Sequence, residues 1–370
     1  MEMTRRNALQ GGSAVLGAGL FGGHSLAQAR LASLAYGPGA GLFGGRSLAQ
    51  ARLASLAYGP ATGVYSLGPI ADAKGFLKAE GLDFKLVVGN AGTHGRQSLA
   101  AGQALFAHGD ASHPLQLSTR GKKAKIVLAT QMIASIANIV VRKDLFDAGI
   151  DSVEKLAAYK RPNGGKPVLA ATAIGSGTWM YGTYTFESKG LGNTVTWVAG
   201  GGLNTMLPAL ETKQFDAIMA VPGWVIEAES KGFGKAIFDT SKPGVFTGAY
   251  GGTVPVLVIY TLEDTIEQNR SLVQSFVNGL YQAMLWVKKT SVDEVHALVA
   301  DKYFPGQDPT ALKAEIGFDK ATWDYTGRID KASFERGGKV WYRAGTDIPE
   351  ARFEDIVDMS FLDAAQARFG

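Results

Sequence analysis

Short apolar runs alternate with longer mixed stretches along most of the chain. Residues 53–58 alternate as a half-buried strand does, and 82–88, 104–107, 126–130 and 136–141 are further strands by the same pattern. Between them, a helix runs from Ser66 to about residue 81 with Pro69 in its first turn, another spans 96–102, and residues 108–114 open a third. Strand, loop and helix repeating at this length predict a parallel sheet with helices on both faces. After Arg142 the pattern restarts, with helices at 153–159, 179–190 and 206–213 and strands at 167–172, 194–198 and 215–221. Pro222, Gly223 and Trp224 then open another helix, and 253–260 is an apolar strand like 136–141. From Glu263 onward the pattern is helical, with long segments at 271–288 and 292–302. The expected organisation is one α/β lobe built from 52–142 and 254–345, a second lobe at 143–253, and a helical C-terminal tail at 346–370. The similar strands 136–141 and 253–260 are expected to cross between the lobes and act as the hinge. Such an arrangement places a ligand cleft between the carboxyl edges of the two sheets.

The most informative stretch is 168–190. A buried strand passes through Gly175-Ser176-Gly177-Thr178 into a helix that ends at Lys189-Gly190. Free N–H groups and the helix dipole make such a start an expected seat for an anion; the plainer reading is a βα turn whose Ser176 and Thr178 cap their own helix.

Composition changes this picture little. Of 370 residues, 46% are hydrophobic and 19% charged, which is the make-up of a globular chain long enough for two domains. The formal charge of +4 comes mostly from residues 1–51, where Arg5, Arg6, Arg30 and Arg46 stand against Glu2, so the remainder is +1. That gives no reason to expect nucleic acid as a partner. The absence of cysteine removes disulfides, thiolate catalysis and cysteine-ligated zinc together.

Arg5-Arg6, a mild Gly- and Ala-rich stretch and Ala27-Gln28-Ala29 come in the order of a twin-arginine export signal, which residues 1–51 resemble. Residues 18–38 recur as 40–60 with one change, His24 to Arg46. The repeat offers cleavage after Ala29 or after Ala51, and two copies of the first strand, 31–36 and 53–58. Only the second copy runs directly into the first helix, so 53–58 is expected in the sheet, because a long extra loop is improbable in a compact domain.

Residues 71–84 (ADAKGFLKAEGLDF), 206–219 (MLPALETKQFDAIM) and 253–260 followed by 271–276 and Trp286 resemble the substrate-binding proteins of ABC importers. The group is that of nitrate, sulfonate, taurine and bicarbonate binders with their thiamine-pyrimidine relatives. The resemblance spans about 52–340 in order, while beyond Ile329 no motif can be placed. It implies a two-lobed periplasmic-binding-protein fold (type II), a monomer that closes on a small anionic, sulfonate- or carboxylate-like ligand and hands it to an inner-membrane ABC permease from the periplasm. It implies no cofactor and no metal. Ligand contacts in the family come from the loops after the strands, which here carry Thr62, Tyr65, Asn90, Thr93, His108, Ser112, Ser176, Thr178, Asn204 and Trp224. These loops hold no arginine or lysine, and Arg96, just past Thr93, is the nearest counter-charge.

His108, Asp110 and His113 have the residue types of a metal site, but loop polar residues that cap a helix or contact the ligand are the preferred account. Trp179 and Trp224 sit just inside helix starts, where an aromatic either stacks on a ligand or packs in the core. Catalytic patterns fail: Ile174 stands where a nucleophile elbow needs glycine, and Glu229 where a phosphate loop does. Rival readings are an enzyme on the same fold, of pyrimidine synthase, desulfinase or lyase type, and a periplasmic sensor module.

Overall fold

The computed structural model of the chain describes residues 52–370. The strands are β1 (Arg52–Tyr58), β2 (Leu82–Val88), β3 (Phe106–Asp110), β4 (Ala124–Gln131), β5 (Asn138–Arg142), β6 (Val168–Ala171), β7 (Thr196–Ala199), β8 (Ala217–Ala220), β9 (Gly234–Phe238) and β10 (Leu257–Leu262). They form two five-stranded sheets, ordered β2-β1-β3-β10-β4 and β7-β6-β8-β5-β9. In the first sheet β10 runs antiparallel between β3 and β4, and in the second β5 runs antiparallel between β8 and β9. The other pairs are parallel, with β1 matched to β2 from Arg52↔Leu82 to Tyr58↔Val88. Helices flank both sheets, so the α/β class and the periplasmic-binding-protein architecture expected above hold.

The central strands β6 and β8 are apolar along their whole length because both of their faces are covered. Over the first sheet lies the helix Glu263–Lys289, whose Phe276 stacks on Phe106 at 3.9 Å and approaches Phe84 at 6.3 Å. The second copy of the repeat supplies β1, as expected, whereas its first copy at 31–36 and the export leader lie outside the described residues.

The crossings differ from the sequence reading. β5 belongs to the second sheet, so the chain changes lobe before Asn138, not after Arg142. It returns between Phe238 and Leu257. The two crossing segments are bonded side by side: the Thr240 hydroxyl donates to the Ala134 carbonyl at 2.7 Å, its N–H donates to Asn138 Oδ1 at 2.7 Å, and the Val254 N–H donates to the Met132 carbonyl at 3.1 Å.

Beyond residue 300 the chain forms the helices Pro309–Thr322, Lys331–Trp341 and Ser360–Phe369, among others. Val357 makes a parallel bridge to Ile126, and Lys125 Nζ donates to the carbonyls of Glu354 and Asp355, so the tail covers the outer edge of β4. Arg343 reaches the other lobe. Its Nη2 donates to the Met180 carbonyl at 2.9 Å and to Thr183 Oγ1 at 2.8 Å, and it pairs with Glu187. Among the described residues no helix is long and apolar enough to cross a membrane.

Candidate functional site

Four strands deliver the site. The chain leaves β1 through Pro60 and Thr62 into the 3-10 turn Gly63–Tyr65, and β3 ends on Asp110 with His113 in the helix Ser112–Ser118 behind it. From the second sheet, β6 leads through Thr172 to the helix Gly177–Glu187, and β8 leads through Val221 to the helix Pro222–Ser230, which carries Trp224. These carboxyl ends face one another across a narrow cavity. Its apolar wall is Pro60, Val64, Ile136, Val221 and Leu257, and its polar groups come from Thr62, Tyr65, Asp110, His113, Thr172, Thr178 and Trp224. Gln116 bridges the lobes at the rim, donating through Nε2 to the Gly175 carbonyl at 3.2 Å.

Polar atoms of four lining side chains are buried and have no hydrogen-bond partner: Thr62 Oγ1, Asp110 Oδ2, His113 Nε2 and Trp224 Nε1. The residues are between 1% and 2% exposed. Orphaned polar atoms of this kind cost roughly 1–3 kcal/mol each, so their convergence on one cavity marks a place where something else completes the bonding.

Asp110 decides what that something is. Its Oδ1 accepts the Ser112 N–H at 2.9 Å, while Oδ2 faces the start of the helix Gly177–Glu187. The approach requires glycine at 177, since a Cβ there would lie 2.6 Å from Oδ2. The helix start read as a seat for a ligand anion is therefore met by the protein's own carboxylate. Burial pushes the Asp110 carboxyl up to about 6, against the opposing pull of Ser112 and the Arg96 guanidinium. Arg96 is itself buried, and its charge acts on Asp110, His113 and Tyr260, so it serves the interior of the site.

The two histidines of this region are held toward the neutral form. Burial holds His113 well below its ordinary value, helped by the Arg96 charge, and lowers His108 to about 3. His113 Nδ1 meets the Tyr260 hydroxyl at 3.0 Å, leaving Nε2 to the cavity. His108 is turned away: its Nε2 meets Thr130 Oγ1 at 2.8 Å, and that hydroxyl donates to the Leu257 carbonyl at 2.9 Å. Thr130 has only one proton to give, so His108 Nε2 carries the hydrogen of this pair.

Of the ten residues expected at the site, Thr62, Tyr65, Thr178 and Trp224 line the cavity. Tyr65 is held there by stacking on Tyr58 at 5.1 Å and by the edge of His108 at 5.1 Å. His108 and Ser112 stand behind the wall, and Thr93 is buried outside the lining. Asn90 and Asn204 are exposed and away from the cavity lining. Ser176 is engaged elsewhere, its Oγ donating to the Ala173 carbonyl at 2.7 Å, meeting Thr178 Oγ1 at 2.8 Å and accepting the Trp179 N–H at 3.4 Å. It is a helix cap and turn residue. Ser176→Ala is expected to lose about 1 kcal/mol of stability and to change ligand affinity by less than about tenfold, readable by paired denaturation and calorimetry. A loss of affinity without a loss of stability would assign it direct contact instead. Asp110 and His113 also line the cavity; the sequence leaves them among loop polar residues that cap a helix or contact the ligand, without singling them out as site residues.

A profile of the NMT1-like family matches residues 49–300. A search of curated protein sequences finds no match. Among solved structures, a protein from Bordetella bronchiseptica RB50 is similar at TM-score 0.73 and 24% identity, covering 86% of this chain and 98% of that one. The periplasmic nitrate-binding protein NrtA from Synechocystis PCC 6803 is similar at TM-score 0.65 and 14% identity, covering 86% and 89%. A variant of DszB in complex with biphenyl-2-sulfinic acid is similar at TM-score 0.55 and 17% identity, covering 86% and 99%. At these identities the likenesses establish the fold, and they include both a binding protein and DszB.

Proposed function

The chain belongs to the NMT1-like family, and from that premise we propose that it is an exported solute-binding protein, delivering a small organic ligand to an ABC permease of the inner membrane. The observation that carries this reading is the set of four unpartnered polar atoms in the cavity between the sheets. The ligand is a neutral or cationic molecule with at least one N–H donor, not the sulfonate- or carboxylate-like anion the sequence suggested. An anion would face the Asp110 carboxylate directly, while the one cation acting on that carboxylate, Arg96, stands behind the lining and not in it. Tyr65, Trp224 and the aliphatic wall favour a flat, partly apolar body, and Trp224 Nε1–H and Thr62 Oγ1 supply complementary polar contacts.

A thermal-shift panel tests this, with amines, amidines and amino-substituted nitrogen heterocycles on one side and nitrate, bicarbonate, sulfonates and carboxylates on the other. A ligand at a hundred times its dissociation constant adds about 2.7 kcal/mol, and only the first set is expected to do so. Stabilisation by the oxyanions alone would overturn the ligand assignment. Recovery of the stabilising compound unchanged after long incubation supports capture; its conversion would support an enzyme on this fold. The twin-arginine leader supports delivery to the periplasm, with cleavage after Ala29 or Ala51, and the export signal argues for transport or sensing outside the cytoplasm.

A further inference from the structure

The helix Pro309–Thr322 packs against both the turn Gly63–Tyr65 and the helix Pro222–Ser230, one wall of the cavity from each lobe. Its Glu315 is fully buried. Oε2 accepts the N–H of Gly63, in the turn that carries Thr62, Val64 and Tyr65, and the Nε2 of Gln307 at 3.0 Å. Oε1 lies against Gly223, in the first turn of the helix that carries Trp224, so closely that a Cβ at 223 would fall 2.3 Å from it, and it has no hydrogen-bond partner. One carboxyl group thus touches a β1-derived wall from the first lobe and a β8-derived wall from the second. Neither wall bonds to the other here through a side chain of its own. A third element joins them.

We propose that Glu315 is a positioning residue that sets the two walls of the ligand cavity against each other, so that gain or loss of its proton alters how the cavity receives its ligand. The inference rests on the reading of this cavity as the ligand site. Oε2 holds the Gly63 N–H while Oε1 stands unpartnered against Gly223; ionised, both oxygens are open acceptors, one toward each wall, whereas a protonated carboxyl has one oxygen committed as an O–H and no longer accepts equally on both sides. The spacing between Gly63 and Gly223, and with it that between Tyr65 and Trp224, therefore follows the charge on Glu315.

The surroundings place that change near neutrality. Burial pushes the Glu315 carboxyl up to about 7, opposed by the bonds from Gln307 and Gly63 and by the nearby Gly223 N–H, and reinforced by the charge of Glu227 on the Pro222–Ser230 helix. One turn along its own helix Asp319 is also buried, bonded to Gln131 Nε2 and raised well above its ordinary range by burial and by Glu315. The 3-10 turn meets Glu315 with backbone at Gly63, and no lysine or arginine charge contributes to its environment.

The test needs no ligand, so its failure is distinct from failure of the functional proposal. The six tryptophans give a small set of indole N–H resonances in a nitrogen-15 spectrum, and Trp224→Phe identifies that of Trp224. In the wild-type chain the Trp224 indole and the Gly63 amide are expected to shift together between about pH 5 and about pH 9, with one midpoint near 7. In Glu315→Gln the step near 7 is expected to vanish from both signals, while an Asp110→Asn chain keeps it. A Trp224 signal that is flat in the wild type, or that moves as much in Glu315→Gln, overturns the proposal. Should Glu315→Gln fail to fold, the carbon-13 shift of the wild-type Glu315 carboxyl decides: a midpoint shared with Trp224 supports the coupling, and separate midpoints refute it.

Discussion

Asp110→Asn is expected to weaken binding of a nitrogen-bearing ligand by roughly ten- to a hundredfold while making the ligand-free protein more stable above neutral pH. The first effect follows from removing a charged acceptor whose hydrogen bond is worth ~1.5–3 kcal/mol, at ~1.4 kcal/mol per decade of affinity. The second follows from the cost of burying the charge. A carboxyl raised in the folded chain from 3.8 to about 6 binds its proton more tightly there than in the unfolded chain. Its contribution to stability is thus fullest below its ordinary value and is lost as the pH rises through 6. By about pH 8 the loss amounts to ~3 kcal/mol, of which asparagine recovers the part not offset by the charge's attraction to the helix start, ~0.3–1 kcal/mol. The expected net gain is about 2–2.7 kcal/mol at pH 8 and little at pH 4. Calorimetric binding and denaturant unfolding at both pH values read the two effects separately. A variant that binds like the parent, or is equally destabilised at both pH values, would make Asp110 a purely structural cap.

Wild-type stability is expected to fall as the pH rises from about 5 to about 8, with Glu315 alone responsible for ~3 kcal/mol. The sign is that of a buried acid. Glu315 moves from 4.5 to about 7 on folding, so the folded chain holds a proton that the unfolded chain has released throughout that interval. Asp319 is raised by the same cause and adds to the trend. Glu315→Gln is expected to flatten the profile and to exceed the parent in stability at the alkaline end. Urea unfolding across the range measures it; a profile that rises toward pH 8, or one unchanged in Glu315→Gln, would show that these carboxyls are better compensated than their burial indicates. The two predictions share a mechanism: charge placed where it costs stability sits at the cavity or against its walls.

Much of this architecture was legible in the sequence because local pattern and tertiary role agree. Residues 53–58, 82–88 and 168–171 alternate or run apolar as buried strands must, and the start at Ser176 caps its helix as its residue type predicts. β9 escaped notice because it is an edge strand containing Lys235, with most of its residues only half-buried, so nothing in Gly234–Phe238 shows a clear period. The site was half legible. Thr62, Tyr65, Thr178 and Trp224 follow strand ends, and that position alone places them at the cleft. Asp110 shares their position, yet an expected anion seat gave no place to a carboxylate. Glu315 and Asp319 were hidden for another reason. They fall four apart on a helix whose Ala311, Leu312 and Ile316 form its buried stripe, and acidic residues there read as a solvated face. Their spacing beside that stripe was the available signal. Which walls they would meet depends on chain more than 80 residues away, beyond any local pattern.

The place of β10 in the first sheet also sets a timetable for the growing chain. β3 and β4 do not pair with each other; β10 lies between them, and it begins at residue 257 whereas β4 ends at residue 131. At ~5–20 residues per second of synthesis, the facing edges of β3 and β4 wait roughly 6–25 seconds for their partner. During that interval the contiguous second sheet, from β5 to β9, has all its strands in hand and can close first. The older strands meanwhile offer unpaired backbone to any neighbouring chain. Crowding of nascent chains, as well as the stability of the finished fold, then bears on how much of this protein matures.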